Sequence, residues 1–444
     1  MKSKLDLIVK KMKKAGLNDT VIKSFSYYYN LVLTGETGKI PEESINPPSK
    51  KNILSYEAIK NNYPKPDDLV IIKLNGGLGT SMGLNKAKSL LPVKNGYTFL
   101  DIIANQILQI RKETNTDLPL LFMDSFNTSA DTLKFLSKYP DLAIDDLGLD
   151  FLQNKYPKIK RDDLSPINLE DDKKNWNPPG HGEIYSVLAT SGILEKLIKK
   201  GYKYAFISNS DNLGAIYDEK IYSYVKENNI PFLMEVAIRT ELDKKGGHLA
   251  ETKEGQLLLR EVAQCPQEDL EDFQNVSKYK YFNTNSIWVN LEILKTKLDK
   301  NHNFLQLPLI LNAKEIDGFK VYQLESAMGA AIQVFENSKA VVVPRSRFLP
   351  VKKTNDLLLL WSDIFELTKD FRLIKTTVSP LPIIDLDEVY YKKIDDFTER
   401  FQTGIPSLKK CTLLKIKGNV FFEGNMKIVG KLEINSASKT LIKS

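Results

Sequence analysis

The stretch Lys73–Leu–Asn–Gly–Gly–Leu–Gly–Thr–Ser–Met–Gly83 concentrates the residue types suited to holding an anion. Glycines at 76, 77 and 79 let backbone amides close around a ligand, because no Cβ blocks the approach. Beyond them, Lys88–Ser89 adds a cation within reach of the same ligand. A phosphate of a nucleotide fits this combination. The spacing fails both common nucleotide fingerprints. A dinucleotide loop needs G-x-G-x-x-G opening a helix, and a P-loop needs G-x-x-x-x-G-K-[ST]. Here Gly77-x-Gly79-x-x-x-Gly83 leads into Asn85, Lys86 and Ala87, and Met82 and Ala87 occupy the P-loop glycine positions. A tight strand-to-helix connection with no ligand has similar glycines.

Four further segments carry candidate chemistry. Asn177–Pro–Pro–Gly–His–Gly–Glu183 presents His181 between Gly180 and Gly182, ahead of a predicted helix whose N-terminal dipole would favour an anion. A rigid turn at a helix start would look the same. Asn209–Ser–Asp–Asn212 offers the Asp211 carboxylate at a strand end, suited to Mg²⁺, which takes one or two carboxylates plus phosphate oxygens. A self-capped Asx turn competes with that reading. Phe282–Asn–Thr–Asn285 reads as a polar turn or as amide contacts to hydroxyls. Arg345–Ser–Arg–Phe–Leu–Pro–Val–Lys–Lys353 supplies four cations that form a solvated face or neutralise a second phosphorylated substrate. No Ser-His-Asp order or catalytic Cys setting accompanies them. Phosphate chemistry driven by positioning and charge neutralisation follows.

The elements that must position these loops alternate. Leu69–Leu74, Leu120–Met123, Tyr204–Ser208, Phe232–Ile238 and Ser286–Val289 read as strands. Thr98 and Asp101 form a capping-box pattern before the stripe Ile102, Ile103, Gln106, Ile107, Ile110. Gly182–Lys200 reads as one helical stretch with Ile184, Val187, Leu188, Leu194 and Leu197 on a face. This is an α/β pattern with a mixed, mostly parallel sheet, in which ligands bind beyond the carboxyl ends of strands. Asn75–Gly83 and Asn209–Asn212 follow such ends. Residues 1–65 read as a helical N-terminal region, closed by turns at Ile45–Pro48 and Tyr63–Asp67; residues 66–370 form the catalytic domain. Residues 371–444 form a C-terminal β-helix-like or hairpin domain of short strands divided by Gly–Asn or single Gly turns.

With 444 residues, 42% hydrophobic and 27% charged, the composition is that of a soluble globular protein, and its apolar runs are too short to span a bilayer. Leu5, Ile8, Val9 and Met12 make the N-terminus an amphipathic helix and not a signal peptide; Asp6 and the lack of Arg there disfavour a transit peptide. Cys265 and Cys411 stand alone, as suits a reducing cytoplasm. Three scattered histidines build no zinc site. The net charge of +7 is spread without an Arg-rich block, so neither nucleic acid nor a membrane is expected as a partner.

In order along the chain, Leu74–Gly83 with Lys88–Ser89, Pro178–Gly182, Ser208–Gly214, Gly246–Gly247, Glu261–Gln264, Phe282–Asn285, Gln323–Ala331 and Arg345–Lys352 resemble the eukaryotic-type UTP–glucose-1-phosphate uridylyltransferase family. The resemblance implies a Rossmann-like nucleotidyltransferase core with a C-terminal β-helix. It implies reversible, Mg²⁺-dependent formation of UDP-glucose and pyrophosphate from UTP and glucose 1-phosphate. Carried over by motif, Leu74, Asn75, Gly76, Gly77, Leu78 and Gly79 would hold the nucleotide with Gly180, His181 and Gly182, and Gln153 would read uracil. Lys88 would meet the phosphates, Asp211 the metal and phosphates, and Lys352 the sugar phosphate. His181, Asn209, Glu261 and Asn285 would bind the sugar. Ala87 stands where the family usually has proline, and Ser210 where some relatives have a bulkier apolar residue. The shorter tail leaves open a monomer or a homo-oligomer through the C-terminal domain. Sister enzymes that make UDP-N-acetylhexosamine typically read Gly–Gly–Gln–Gly–Thr–Arg–Leu–Gly, against Leu78 and Ser81–Met82 here. A broader UDP-sugar pyrophosphorylase lies closer. A noncatalytic assembly protein would not need Lys88, Asp211 and Lys352.

Overall fold

The computed structural model describes residues 3–443 apart from 61, 63 and 425, so Tyr63 and Asn425 of the expected turns lie outside the described residues. The strand Leu69–Leu74 is buried at every position and divides the protein into two cores. Leu69 and Ile71 join Phe99, Ile103 and Ile107 on one face. Val70, Ile72 and Leu74 join Ile184, Leu188 and Leu194 on the other. An unbroken apolar run is what a strand covered on both faces requires.

The central sheet runs Ile53–Ser55, Lys339–Val342, Phe232–Ile238, Tyr281–Asn290, Tyr204–Asn209, Leu69–Leu74, Leu120–Asp124, Asp150–Leu152. Tyr281–Asn290 is antiparallel to both neighbours, and the other pairings on this path are parallel. The mixed, mostly parallel α/β sheet expected from the sequence is therefore present. The helix Phe99–Thr114 starts at the Thr98–Asp101 capping box. Residues 45–55, grouped by sequence with the N-terminal helices, add Ile53–Ser55 to this sheet and pair Ile45–Asn46 with His248–Thr252. Lys4–Lys14 and Asp19–Leu33 bury Ile8, Met12, Phe25 and Tyr28 against Tyr156 and Trp176.

Two local expectations need correction. The stretch 182–200 is not one helix: Ile184–Thr190 and Ile193–Lys199 are separated at Gly192, which adopts φ +77° and breaks the hydrogen-bond ladder. The apolar stripe survives the break because both pieces bury the same side. Phe282–Asn285 is not a turn before a strand but part of Tyr281–Asn290. A bulge skips Thr284 and Asn285 between the pairs Asn283–Val236 and Ser286–Glu235. Asn285 takes φ +55° there, and Thr284 Oγ1 donates to Glu235 O at 2.7 Å. Polar residues read as a turn because a bulge needs the same backbone tolerance.

Beyond residue 380 the strands Ile383–Leu386, Ser407–Phe422 and Lys427–Ile442 pair in parallel. Parallel pairing excludes the hairpin alternative. Ser407 lies beside Lys427 and Leu414 beside Leu432, so successive coils stack as in a β-helix. Its Leu408, Leu414, Val420 and Phe422 share one apolar core with Leu357, Leu358 and the helix Phe99–Thr114. Among the described residues, no helix is long and apolar enough to cross a membrane.

Candidate active site

Leu74 and Asn209 end neighbouring parallel strands in register, so their loops leave the sheet side by side. The glycine loop then folds back on itself. Leu78 bridges Ala87, Lys88 N–H donates to Gly77 O at 3.1 Å, and Leu84 N–H donates to Gly79 O at 3.0 Å. Thr80–Met82 and Lys88–Leu90 are single 3-10 turns, which is why the fingerprints that open an α-helix do not apply. A Cβ on Gly79 would stand 2.5 Å from Leu84, whereas one on Gly77 would meet no atom within 4 Å. Gly79 lets the loop close, and Gly77 leaves its backbone open. Asn75 is spent on the scaffold. Its Nδ2 donates to Asp124 Oδ1 at 2.8 Å and to Thr132 Oγ1 at 2.9 Å, and its Oδ1 accepts from Ser210 Oγ at 2.9 Å.

The doubled-back loop delivers Lys88 to the second strand end. Its Nζ donates to Asp211 Oδ2 at 2.7 Å and also to Val351 O. Val351 N–H in turn donates to Asp211 O at 3.2 Å, which seats Lys352 next to this pair. Asp211 Oδ1 is buried without a hydrogen-bond partner. The four-cation run is not one neutralising patch. Arg345 grips Asp243 through two bonds of 2.9 and 2.8 Å. Arg347 is buried against Glu235 at 2.6 and 2.8 Å, and Lys353 pairs with Glu388 at 2.6 Å. Among the described residues, Lys352 has no such acidic partner, and its side chain stays exposed.

A third loop closes against these two. Gln153 Nε2 donates to Gly180 O at 3.0 Å, and its Oε1 would lie 3.2 Å from a Cβ on Gly76. Gln153 thus spans the glycine loop and the His181 loop. Gly180 adopts φ +81° and runs so close to Ser326 that a Cβ would collide with its backbone. Gly182 N–H donates to Ser326 O at 2.9 Å, and Ser326 N–H donates to Pro179 O at 3.0 Å. His181 Nδ1 accepts from Met328 N–H at 2.9 Å, which leaves the ring proton on Nε2. Burial depresses the His181 pKa to about 4, so the ring is a neutral donor near neutral pH. Beside it, burial pushes the Glu183 carboxyl up to about 8.

Glu261, Asn285 and Lys352 come together on the opposite flank. Glu261 lies against Gly247, where a Cβ would stand 2.6 Å from its carboxylate. Burial raises the Glu261 pKa, while a hydrogen bond from Asn283 and the charge of Lys352 pull it down. Asn283 Nδ2 donates to Asn285 Oδ1 at 2.9 Å, and Asn285 N–H returns a bond to Asn283 Oδ1 at 2.9 Å. Asn209 stands at its strand end, its carbonyl accepting from Asn212 N–H at 3.2 Å. Sequence reasoning singled out the segments that hold Asn212, Asn283 and Ser326–Met328 without assigning these residues individual roles, and it passed over Asp124. For Asn283, the bulge motif carried a signal; for the others, residues distant in sequence had to meet.

A mixed, mostly parallel sheet with a glycine loop, a lysine and an aspartate converging at its strand ends defines a nucleotidyltransferase-type core. A family profile described as UTP–glucose-1-phosphate uridylyltransferase matches residues 22–429. The enzyme of that name from Solanum tuberosum is 40% identical over 96% of this chain and 91% of its own length. That from Encephalitozoon cuniculi is 38% identical over 97% and 87%. Among solved structures, a mutant UDP-glucose pyrophosphorylase from Leishmania major in complex with UDP-glucose superposes with a TM-score of 0.92. It has 42% identity and covers 100% of this chain and 97% of that one. The chain belongs to the UTP–glucose-1-phosphate uridylyltransferase family.

Proposed function

We propose that this chain converts UTP and glucose 1-phosphate to UDP-glucose and pyrophosphate, reversibly. The observation that carries this is the pairing of Lys88 with Asp211 beside an open glycine loop, with the segment that carries Lys352 bonded to both through Val351. A phosphate oxygen of glucose 1-phosphate attacks the α-phosphorus of UTP in line. The bond from that phosphorus to the bridging oxygen breaks, and pyrophosphate leaves with its electrons. The nucleophile is already an anion, so no general base is needed, in keeping with a neutral His181.

The residues act by position and charge. Gly77 leaves backbone open to the nucleotide, and Gln153, tethered to Gly180, reads uracil. Lys88 spends two donors on Asp211 and Val351 and keeps a third for phosphate oxygens. Lys352, without a salt bridge among the described residues, neutralises the sugar phosphate. Glu261 and Asn285 accept from or donate to sugar hydroxyls, and Asn209 and the His181 Nε2–H take the sugar roles expected from the family motifs.

Mg²⁺ fits this donor set. Asp211 Oδ1 is a buried oxygen without a partner, and no group of three or more His, Cys, Asp or Glu among the described residues gathers to hold a metal alone. One carboxylate with phosphate oxygens and water is the donor set that Mg²⁺ takes beside a nucleotide. When bound there it would supply Lewis-acid neutralisation of the triphosphate. Two buried free cysteines suit a cytoplasmic location, and the chain works as a monomer or as a homo-oligomer through its β-helix.

Pyrophosphate release from UTP with a panel of sugar 1-phosphates, with and without Mg²⁺, tests the reading. Release with glucose 1-phosphate that depends on Mg²⁺ is expected. No release with that sugar overturns the reading, and equal release across the panel points to a broader UDP-sugar enzyme.

A further inference from the structure

The segment 343–352 carries Lys352, yet it belongs to no strand of the central sheet. Its single 3-10 turn, Arg345–Arg347, gives little stiffness of its own. Its position is set by Asn212, the residue after Asp211. Asn212 is 2% exposed. Its Oδ1 accepts from Leu349 N–H at 2.8 Å and from Gly214 N–H at 3.2 Å. Its Nδ2 donates to Arg347 O at 3.1 Å, and its backbone bridges Pro350. One carboxamide therefore supplies the donor and the acceptor that a neighbouring strand would otherwise provide. Gly214 brings the two segments together, since a Cβ there would collide with Ser346 O. The next backbone bond, from Val351 N–H to Asp211 O, completes the seam.

We infer that Asn212 is a positioning residue that locks the Asp211 loop and the Lys352 segment into one frame, fixing the separation of their charges. Arg347 anchors the same segment from beneath, through Glu235 and Ile216 O, but its bonds lie before Leu349. Asn212 acts at the point where the segment turns toward Lys352. Reacting groups displaced by about 1 Å lose on the order of a hundredfold in rate. The carboxamide therefore matters to turnover far more than to nucleotide binding.

This inference rests on the reading of Lys352 and Asp211 as the groups that handle phosphate. It is tested by a cycle of Asn212→Ala, Lys352→Ala and the double variant. The measurements are kcat for UDP-glucose formation, UTP affinity by calorimetric titration, and thermal melting. Asn212→Ala should lower kcat by roughly ten- to a hundredfold with UTP affinity nearly unchanged. In the Lys352→Ala background it should add little further loss, because a displaced Lys352 no longer exists. Should Asn212→Ala not fold, Asn212→Ser, which keeps one hydrogen bond to the segment, carries the same cycle. A full repeat of the kcat loss on top of Lys352→Ala, or an equal loss of UTP affinity, overturns the inference alone. An unchanged kcat for Lys352→Ala itself overturns the site reading and the inference with it.

Discussion

The two flanks of the proposed site are built differently. The nucleotide flank is made largely of backbone: Gly76, Gly77 and Gly79 in one loop are linked through Gln153 to Gly180 in another, which main-chain hydrogen bonds hold against Ser326. The sugar flank is made of side chains: Glu261, Asn283, Asn285 and Lys352, drawn from three segments. Backbone recognition suits a ligand part that is the same in every turnover, the phosphates and ribose. Side-chain recognition suits discrimination between sugars, where one buried hydrogen bond gained or lost sets the preference. The difference also separates what a mutation does. On the backbone flank a side chain added at Gly79, Gly180 or Gly182 disturbs the fold as well as the ligand. On the other flank the exposed Lys352 side chain can be removed with little disturbance of the fold.

The sharpest division comes from Lys352→Ala. Its Nζ has no acidic partner among the described residues, so melting should not move. Loss of one charge-stabilising donor should lower kcat by about 10²–10³-fold, with UTP affinity nearly intact. An unaltered kcat in steady-state assays would remove Lys352 from the site. Next in size is Gly180→Ala. At φ +81°, against the Ser326 backbone, the new Cβ should cost about 1–3 kcal/mol of stability, seen as a lower melting temperature together with weaker UTP binding. A stable variant that binds UTP normally would break the backbone account of that flank.

Gly77→Ala tests the same account from the other side. No protein atom lies within 4 Å of the added methyl, so melting should stay put. The UTP KM should rise by about tenfold as the methyl takes ligand space. The smallest effect expected is that of Glu183→Gln. Folding holds the Glu183 proton up to about pH 8, whereas the unfolded chain releases it near its ordinary 4.5. Stability from this group is therefore full below pH 4.5 and declines as pH rises toward 8. Melting scans from pH 6.5 to 8 avoid most of the opposite contribution of His181, whose lowered pKa costs stability below about 6.5. The variant's decline over that range should be shallower by about two degrees.

Much of the fold was legible. The strand Leu69–Leu74 shows its two-sided burial as an unbroken apolar run, and Phe232–Ile238 has the bounds its residues suggest. The Thr98–Asp101 capping box marked the helix start to the residue. The break at Gly192 was not legible, because both helices bury one continuous stripe and a single Gly is compatible with a helix. Local reading left the C-terminal strands open between hairpins and stacked coils, since Gly–Asn turns serve both, and the parallel pairing bears out the β-helix-like expectation. At the site, the glycine loops announced themselves through composition. The cation run Arg345–Lys353 did not declare its division of labour, because charge in a sequence carries no record of the partner it will meet.

By itself, the sequence determined where backbone must be bare and which charges were available, because glycine spacing and apolar alternation act on neighbours along the chain. Tertiary structure decided which charge stayed free. Asp243, Glu235 and Glu388 reach Arg345, Arg347 and Lys353 from distant segments, and that long-range pairing leaves Lys352 as the cation of the run without a salt bridge among the described residues. It also decided that the side chain of Asn75, a residue expected at the nucleotide, would join three strand ends through Asp124 and Ser210. A buried amide must satisfy its hydrogen bonds with whatever the fold brings beside it.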